Sequence, residues 1–471
     1  MKTSLTFPLN APIPITLPRC MEQEVEAILA LLDEGAPVIH IRKPEATPAE
    51  LERLLRQLQL ARADMQRLTL HHHTALAQRY ALGGIHLREE ALQALQLAPS
   101  SPQVPCQELP SERASTTNHL PPLPAPSAPH AATSVTDRPQ RIEELRISAP
   151  AHGWEEARRL ATHCDYVLLS PLFDSVSKSG YRGAIDPAEA CRLLRKKSGG
   201  NWIALGGITP QNIALARAAA FDGAAAIGSI WKLDTSGAID IAQTRQAYQI
   251  LTRRWQAAGG TLQFISNGNL ATAEAYLKGG GRWVQLRMKE TPVETIIAHG
   301  KALLPLCHRH GALLIVNDDP RIAAAIGADG VHLGQSDMAP DDARQLLGER
   351  AIIGCTANTF EQIEKIAQSS ADYIGLGPFR YTTTKKNLAP LLGITGYTRI
   401  MQQMATAGIR LPLVAIGGIT VEDVPQIMTC GVNGLAISGS ISHAANVTST
   451  TAQFVTAIAQ HRTVIMPENH A

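Results

Sequence analysis

Residues 313–337 read LLIVNDDPRIAAAIGADGVHLGQSD. LLIVN is apolar and β-branched without polar alternation, the pattern of a strand buried on both faces of a parallel sheet. A stretch long enough for a helix separates it from a second such run, GVHLG. Each run ends in polar residues: Asn317 and Asp318 after the first, Gln335 and Asp337 after the second. The same alternation continues outward, through LQFIS (262–266), WVQLR (283–287), AIIGCT (351–356), YIGLG (373–377), LPLVAIG (411–417) and GLAIS (434–438). Eight strand–helix units in about 200 residues predict a closed (β/α)₈ barrel of the TIM type. A doubly wound open sheet is the alternative arrangement.

The same unit occurs earlier in the chain. Ile85-His86-Leu87 matches Val331-His332-Leu333 at an offset of 246, whereas Asp165-Tyr166-Val167 matches Asp372-Tyr373-Ile374 at 207. Gly206-Gly207-Ile208-Thr209 matches Gly417-Gly418-Ile419-Thr420 at 211, and His40-Ile41-Arg42 stands against Gln285-Leu286-Arg287. A fixed order of matching segments is the mark of an internal duplication. The fall from 246 to 207 places about 39 extra residues in the first copy, between His86 and Asp165. They coincide with a Pro/Ser/Thr-rich tract, about 98–141, that holds ten of the chain's 30 prolines. Such a tract supplies neither ladder donors nor a helix interior, so a disordered or extended insertion is expected. Strand candidates VIHIR, RLTLH, GIHLR, RISAP, YVLLS, WIALGG and AAAIG predict a second barrel. The expected division is α/β throughout: a first barrel over 1–235, a helical connector at 236–259, and a second barrel over 260–471.

The bulk properties fit two such cores. The 471 residues exceed one ordinary domain, and 45% apolar with only 4% aromatic residues suits an α/β protein. Lys and Arg number 43 against 41 Asp and Glu, which gives no long-range field for nucleic acid or anionic lipid. Seven scattered cysteines without a C-x-x-C pair fit a reduced, cytoplasmic compartment. Prolines interrupt the start before a signal-like segment forms, and no apolar run reaches about 18 residues, so a soluble, unexported protein is expected.

In a barrel of this kind, residues at the carboxyl ends of the strands share one mouth. In the second copy those residues are Gln285, Arg287 and Lys289, Asn317 and Asp318, Gln335 and Asp337, and Thr356. After them come Thr382, Thr384 and Lys385, then Gly417-Gly418, then Ser438-Gly439-Ser440. Arg287, Lys289 and Lys385 are donors without acceptors, suited with Asn317, Thr382 and Thr384 to surround a diphosphate. Asp318 and Asp337 are hard oxygen ligands suited to one Mg²⁺. The small residues after the seventh and eighth strands allow backbone N–H groups to approach a second phosphate. Singly, a Gly-Gly is more often a tight turn and an Asn-Asp a turn or helix cap; their placement at one face is what points to chemistry.

Q-x-R-x-K at 285–289, N-D at 317–318, H-L-G-Q-x-D at 332–337, G-P-x-x-x-T-x-T-K at 377–385 and I-G-G-I at 416–419 together resemble thiamine phosphate synthase, over essentially all of 260–471. The resemblance implies condensation of 4-amino-2-methyl-5-(diphosphooxymethyl)pyrimidine with thiazole phosphate or its carboxylate, releasing diphosphate by a dissociative displacement. It implies Mg²⁺ at Asp318 and Asp337, and diphosphate contacts from Arg287, Lys289, Asn317 and Lys385. It further implies pyrimidine contact from Gln285, and thiazole phosphate contacts at Thr382, Thr384, Gly418 and Ser438. One departure is Gly354-Cys355-Thr356-Ala357-Asn358, where the family usually has G-x-S-x-H; Thr356 keeps the hydroxyl. The partners so implied are small-molecule substrates, with neither nucleic acid nor membrane, and a homo-oligomer is left open. Two other readings remain: another phosphate-binding barrel enzyme, and a non-enzymatic sensor of thiazole or thiamine phosphate. Neither needs the paired carboxylates.

In the first copy, His71 and His72 stand for Asn317 and Asp318, Glu89 and Ala91 for Gln335 and Asp337, and His40 and Pro44 for Gln285 and Lys289. Without the metal carboxylates, diphosphate ionisation is not expected there. Arg42, Ser175, Ser177, Lys178 and Gly206-Gly207 remain and suit a single phosphate. His-Ile-Arg-Lys-Pro at 40–44 and Ser-Pro-x-x-x-Ser-x-Ser-Lys at 170–178 resemble the thiazole tautomerase-like relatives of the synthase, a resemblance that implies proton transfer by a histidine after the fifth strand; His152 is the nearest match. A structural, non-catalytic copy is the competing reading. In His71-His72-His73, alternation along a strand allows at most His71 and His73 to share an ion, and no further spacing supports a metal there.

Overall fold

The computed structural model describes residue 5, residues 9–97, 144–174, 185, 189–190, 193–194, 200–381 and 391–461. The proline-rich insertion, Ser175, Ser177 and Lys178 of the first copy, and Thr382, Thr384 and Lys385 of the second lie outside these residues.

In the second copy, strands β9 (Leu262–Ser266), β10 (Trp283–Leu286), β11 (Leu313–Asn317), β12 (Gly330–Leu333), β13 (Ile352–Ala357), β14 (Tyr373–Leu376), β15 (Leu413–Ile416) and β16 (Gly434–Ile437) pair in parallel and in chain order. β16 pairs with β9, so the barrel is closed and the open-sheet alternative is excluded. The continuous apolar runs follow from two buried faces. On β10, Val284 and Leu286 face the helices and join the outer core, while Trp283 points inward and packs with Ile315, Ile352, Tyr373 and Val414. Gln285, two residues on, is also inward and only 2% exposed.

The first copy repeats this plan. β1 (Ile13–Pro14), β2 (Ile39–Ile41), β3 (Leu68–His71), β4 (Gly84–His86), β5 (Arg146–Ala151), β6 (Tyr166–Leu169), β7 (Trp202–Ala204) and β8 (Gly223–Ala226) form one parallel sheet, with β1 beside β8. A bridge between Ile15 and His40 brings β1 back to β2 and completes the ring. No strand signal marks β1 in the sequence, because Pro12 and Pro14 lack N–H donors. The pairing uses the residues between and after them: Ile15 donates to the Ala226 carbonyl at 3.0 Å, and Thr16 to the His40 carbonyl at 2.9 Å.

Residues 241–259, read as part of a connector, form a helix packed on both barrels. Tyr248, Leu251 and Trp255 belong to the first core. The Tyr248 hydroxyl donates to the Pro12 carbonyl at 3.0 Å, and the Trp255 indole to the Leu9 carbonyl at 2.6 Å. On the other side, Arg253 and Arg254 reach Asp372 at the start of β14, with Nε–Oδ1 distances of 3.0 and 3.4 Å. Arg344 adds a third guanidinium to the same carboxylate at 2.6 Å, and Asp372 is fully buried. Glu34 of the first barrel pairs with both Arg245 of this helix and Arg350 of the second barrel, at 2.8 and 2.6 Å.

Candidate functional site

At the end of β11 the Asn-Asp-Asp sequence divides its work. Asp319, not Asp318, caps the next helix: its Oδ1 accepts from the Arg321 N–H at 2.8 Å, with Pro320 as the first helical residue. Asp318 sits just before it with φ of 73°, in the left-handed region that aspartate tolerates better than most residues. Its N–H donates to the His332 carbonyl at 2.8 Å, which leaves the side chain exposed at the mouth. Asp337 reaches the same place from the turn after β12, where its Oδ2 accepts from the Gly334 N–H at 2.6 Å. The two carboxyls lie within hydrogen-bonding reach of one another. Partial desolvation and the Asp337 charge raise the Asp318 pKa, against the opposing pull of Arg287 and Lys289. Burial lowers the Arg287 pKa, and Asp318 counters it. Two acids and two bases from β10, β11 and β12 thus meet at one end of the barrel. A pair of hard oxygen donors, one of them destabilised as an anion by the other, is the charge pattern that a divalent cation relieves.

Below this rim lies a buried polar chain. The Gln285 amide donates to Gln263 Oε1 at 3.2 Å, and the Gln263 amide donates to the Tyr373 hydroxyl at 3.2 Å. That hydroxyl bonds His332 Nδ1 at 2.9 Å, and His332 Nε2 bonds the Thr356 hydroxyl at 3.0 Å. Gln263, His332 and Tyr373 were not among the expected site residues. Gln263 and His332 had a signal, as single polar residues at inward positions of otherwise apolar strands. Tyr373 reads as core, and its burial raises the pKa of its hydroxyl. Gln335, exposed, donates to the Thr356 carbonyl.

On the opposite side of the mouth, Gly417 and Gly418 follow β15 with φ of 107° and 65°. A Cβ on Gly417 would stand 2.8 Å from Pro378 Cβ and 2.9 Å from its Cα, so the strand-seven turn and the segment after β14 touch only because glycine is there. Ser438 follows β16 and holds the Ile265 carbonyl at 3.1 Å, and Ser440 holds that of Ile419 at 2.7 Å. Asn317, half-buried, ends β11 opposite His332. Of the expected residues, Gln285, Arg287, Lys289, Asn317, Asp318, Asp337, Thr356, Gly418 and Ser438 all stand at or just past the carboxyl ends of their strands. Thr382, Thr384 and Lys385 fall outside the described residues, directly after Tyr381.

The first barrel has the same scaffold with other side chains. His72 occupies the position of Asp318, with φ of 60° and its N–H on the His86 carbonyl at 3.0 Å. Gly206 and Gly207 repeat the strand-seven turn at φ of 98° and 63°. Arg42 is half-buried after β2, and Lys178 is outside the described residues. His152 follows β5, exposed, with its backbone N–H on Glu156 at 2.7 Å. His71 and His73 do not converge: His73 turns away in a left-handed conformation, whereas His71 meets His40 and His86 inside the barrel.

A model of the family described as thiamine monophosphate synthase matches residues 132–230 and 261–441, more than half of the chain. The thiamine-phosphate synthase of Bacteroides thetaiotaomicron is 52% identical over 189 residues, covering 39% of this chain and 90% of the relative. That of Flavobacterium johnsoniae is 44% identical over 186 residues, covering 38% of this chain and 88% of the relative. Among solved structures, the thiamine phosphate pyrophosphorylase from Pyrococcus furiosus is 28% identical and covers 43% of this chain and 96% of its own, at a TM-score of 0.39.

Proposed function

The chain belongs to the thiamine monophosphate synthase family and is a transferase of that kind, and from this premise we propose that residues 260–471 carry the synthase chemistry with Mg²⁺. The observation behind this reading is the meeting of Asp318, Asp337, Arg287 and Lys289 at one rim above the Gln285-to-Thr356 chain. On this reading the aminopyrimidine lies against Gln285, its diphosphate among Arg287, Lys289, Asn317, Thr356 and Lys385. The thiazole phosphate lies at Thr382, Thr384, Gly418 and Ser438. Asp318 and Asp337 would hold the ion, which when bound spreads the charge of the departing diphosphate. Arg287, Lys289 and Lys385 take up the rest of that charge as the bond to the pyrimidine methylene breaks; the thiazole nitrogen then attacks the resulting cation. Bond breaking ahead of attack calls for no protein nucleophile or general base. What the residues contribute is orientation and preorganised charge.

The first barrel, residues 1–235, is auxiliary on this reading, because His72 and Ala91 replace the acid pair. Its exposed His152, with Arg42 and Lys178 to hold a phosphate, supports thiazole carboxylate isomerisation as its own reaction. A cytoplasmic setting goes with the free thiols, and among the described residues no helix is long and apolar enough to cross a membrane.

The test is formation of thiamine phosphate and diphosphate by the full chain with both substrates and Mg²⁺. Asp318→Ala is expected to lower kcat by about 10²-fold or more, the scale of losing a preorganised electrostatic contact in a closed site. Tight binding of thiamine phosphate without turnover by the unmutated chain would instead make it a sensor.

A further inference from the structure

Alternation along β2, β3 and β4 turns His40, His71 and His86 toward the axis of the first barrel. Ile39, Ile41, Leu70 and Ile85 face the helices and join the outer core. His40 and His86 are buried and His71 is half-buried. His40 Nδ1 and His71 Nε2 are 3.0 Å apart, and the His71 and His86 ring centroids 4.1 Å. One nitrogen from each ring can be chosen so that all three lie within 4.8 Å of one another.

We propose that His40, His71 and His86 form a three-histidine site for one divalent transition-metal ion of the zinc class, inside the mouth of the first barrel. Metal–nitrogen bonds of about 2.0–2.1 Å at tetrahedral angles put ligand nitrogens roughly 3.3 Å apart. One pair already has that spacing, and small ring rotations bring in the third. Two of the remaining nitrogens support the same assignment. His40 Nε2 faces the Tyr166 hydroxyl at 2.6 Å and His86 Nδ1 faces the Ser148 hydroxyl at 2.9 Å. Metal-binding imidazoles are characteristically oriented by a partner on the nitrogen that does not bind the ion. His40 would bind through Nδ1, and His71 and His86 through Nε2.

The second barrel shows what the same layer looks like without such a site. Gln285 and Asn317 replace His40 and His71, and both nitrogens of His332 are engaged, by Tyr373 and Thr356. The donor sets also differ in kind. Three imidazoles suit a borderline-soft ion, and two carboxylates suit Mg²⁺. Three protein ligands leave a fourth position open. Arg42 acts on His71 and His86, and Arg146 on His40, so the surroundings are cationic. The open position therefore takes hydroxide or an oxygen of an anionic small molecule.

The experiment strips the full chain with chelator and reloads it with Zn²⁺ or Co²⁺ in excess Mg²⁺, which occupies the carboxylate pair. One tightly held equivalent of Zn²⁺ is expected. With Co²⁺, an intense visible absorption marks a four-coordinate site; six-coordinate ligation by carboxylates and water gives only weak bands. Both signals should vanish in His71→Ala and in the shape-conserving His86→Gln, and persist in Asp318→Ala, with thiamine phosphate formation by the histidine variants unchanged. No retained Zn²⁺ and no intense Co²⁺ band in the unmutated chain would overturn the proposal without recourse to any variant. Equal metal in the histidine variants would overturn it as well.

Discussion

Replacing Asp372 by Asn removes one buried charge and little volume, at the end of the second barrel away from the mouth. The carboxylate now accepts from Arg253 at 3.0 Å, Arg344 at 2.6 Å and the Ile353 N–H at 2.9 Å, with Arg254 at 3.4 Å. Each charge pair at about 4 Å and an effective dielectric near 20 is worth roughly 4 kcal/mol, but three guanidiniums also repel one another, so the pairs do not add. Burial already lowers the pKa of Arg254 and Arg344, with Asp372 the main opposing influence. Asn keeps an acceptor for Ile353 or one arginine, yet turns an amide N–H₂ toward another guanidinium. The cost should therefore approach that of breaking a buried ion pair, about 3–5 kcal/mol. In a barrel of this size that lowers the melting temperature by on the order of 10 °C. Differential scanning calorimetry of the full chain reads it. Turnover at 25 °C should be nearly unchanged, because the mouth lies at the far ends of the strands. A loss below about 1 kcal/mol would refute the reasoning, since it would mean that solvent or another anion already compensates the guanidiniums.

Gly417→Ala places a Cβ against Pro378 at a φ of 107°, outside the region that alanine tolerates. It should cost about 2–4 kcal/mol and displace the segment leading to Thr382, raising KM for thiazole phosphate more than for the pyrimidine; denaturant titration and steady-state kinetics measure the two effects. Tyr373→Phe strands His332 Nδ1 and the Gln263 amide in the barrel, at about 1–3 kcal/mol. Its activity should fall mainly through KM for the pyrimidine diphosphate, as His332, the partner of Thr356, loses its anchor on Nδ1; an unchanged KM would detach the buried chain from substrate binding.

Much of this protein is legible before folding, because barrel strands have a periodic apolar signature and barrel chemistry gathers at their carboxyl ends. Spacing alone places Arg287, Asp318 and Asp337 at one mouth. Other features escaped for identifiable reasons. β1 is two residues long and flanked by prolines, and exists as a strand only through β8 and β2. Asp319 and Asp318 are adjacent and chemically identical, and only the backbone turn tells the helix cap from the mouth residue. Along the chain the nearest histidine on the same face as His71 is His73, whereas the partners of His71 come from neighbouring strands, 31 and 15 residues away.

The duplication, the parallel strands and the rim positions are written in local period and order, and so are legible without the fold. Tertiary structure alone decided that Ile15 closes on His40, that three arginines converge on Asp372, and that three imidazoles share one interior layer. Those contacts depend on strand register and barrel closure, where a slip of one residue would turn His40 or His71 outward and leave every local pattern as it was.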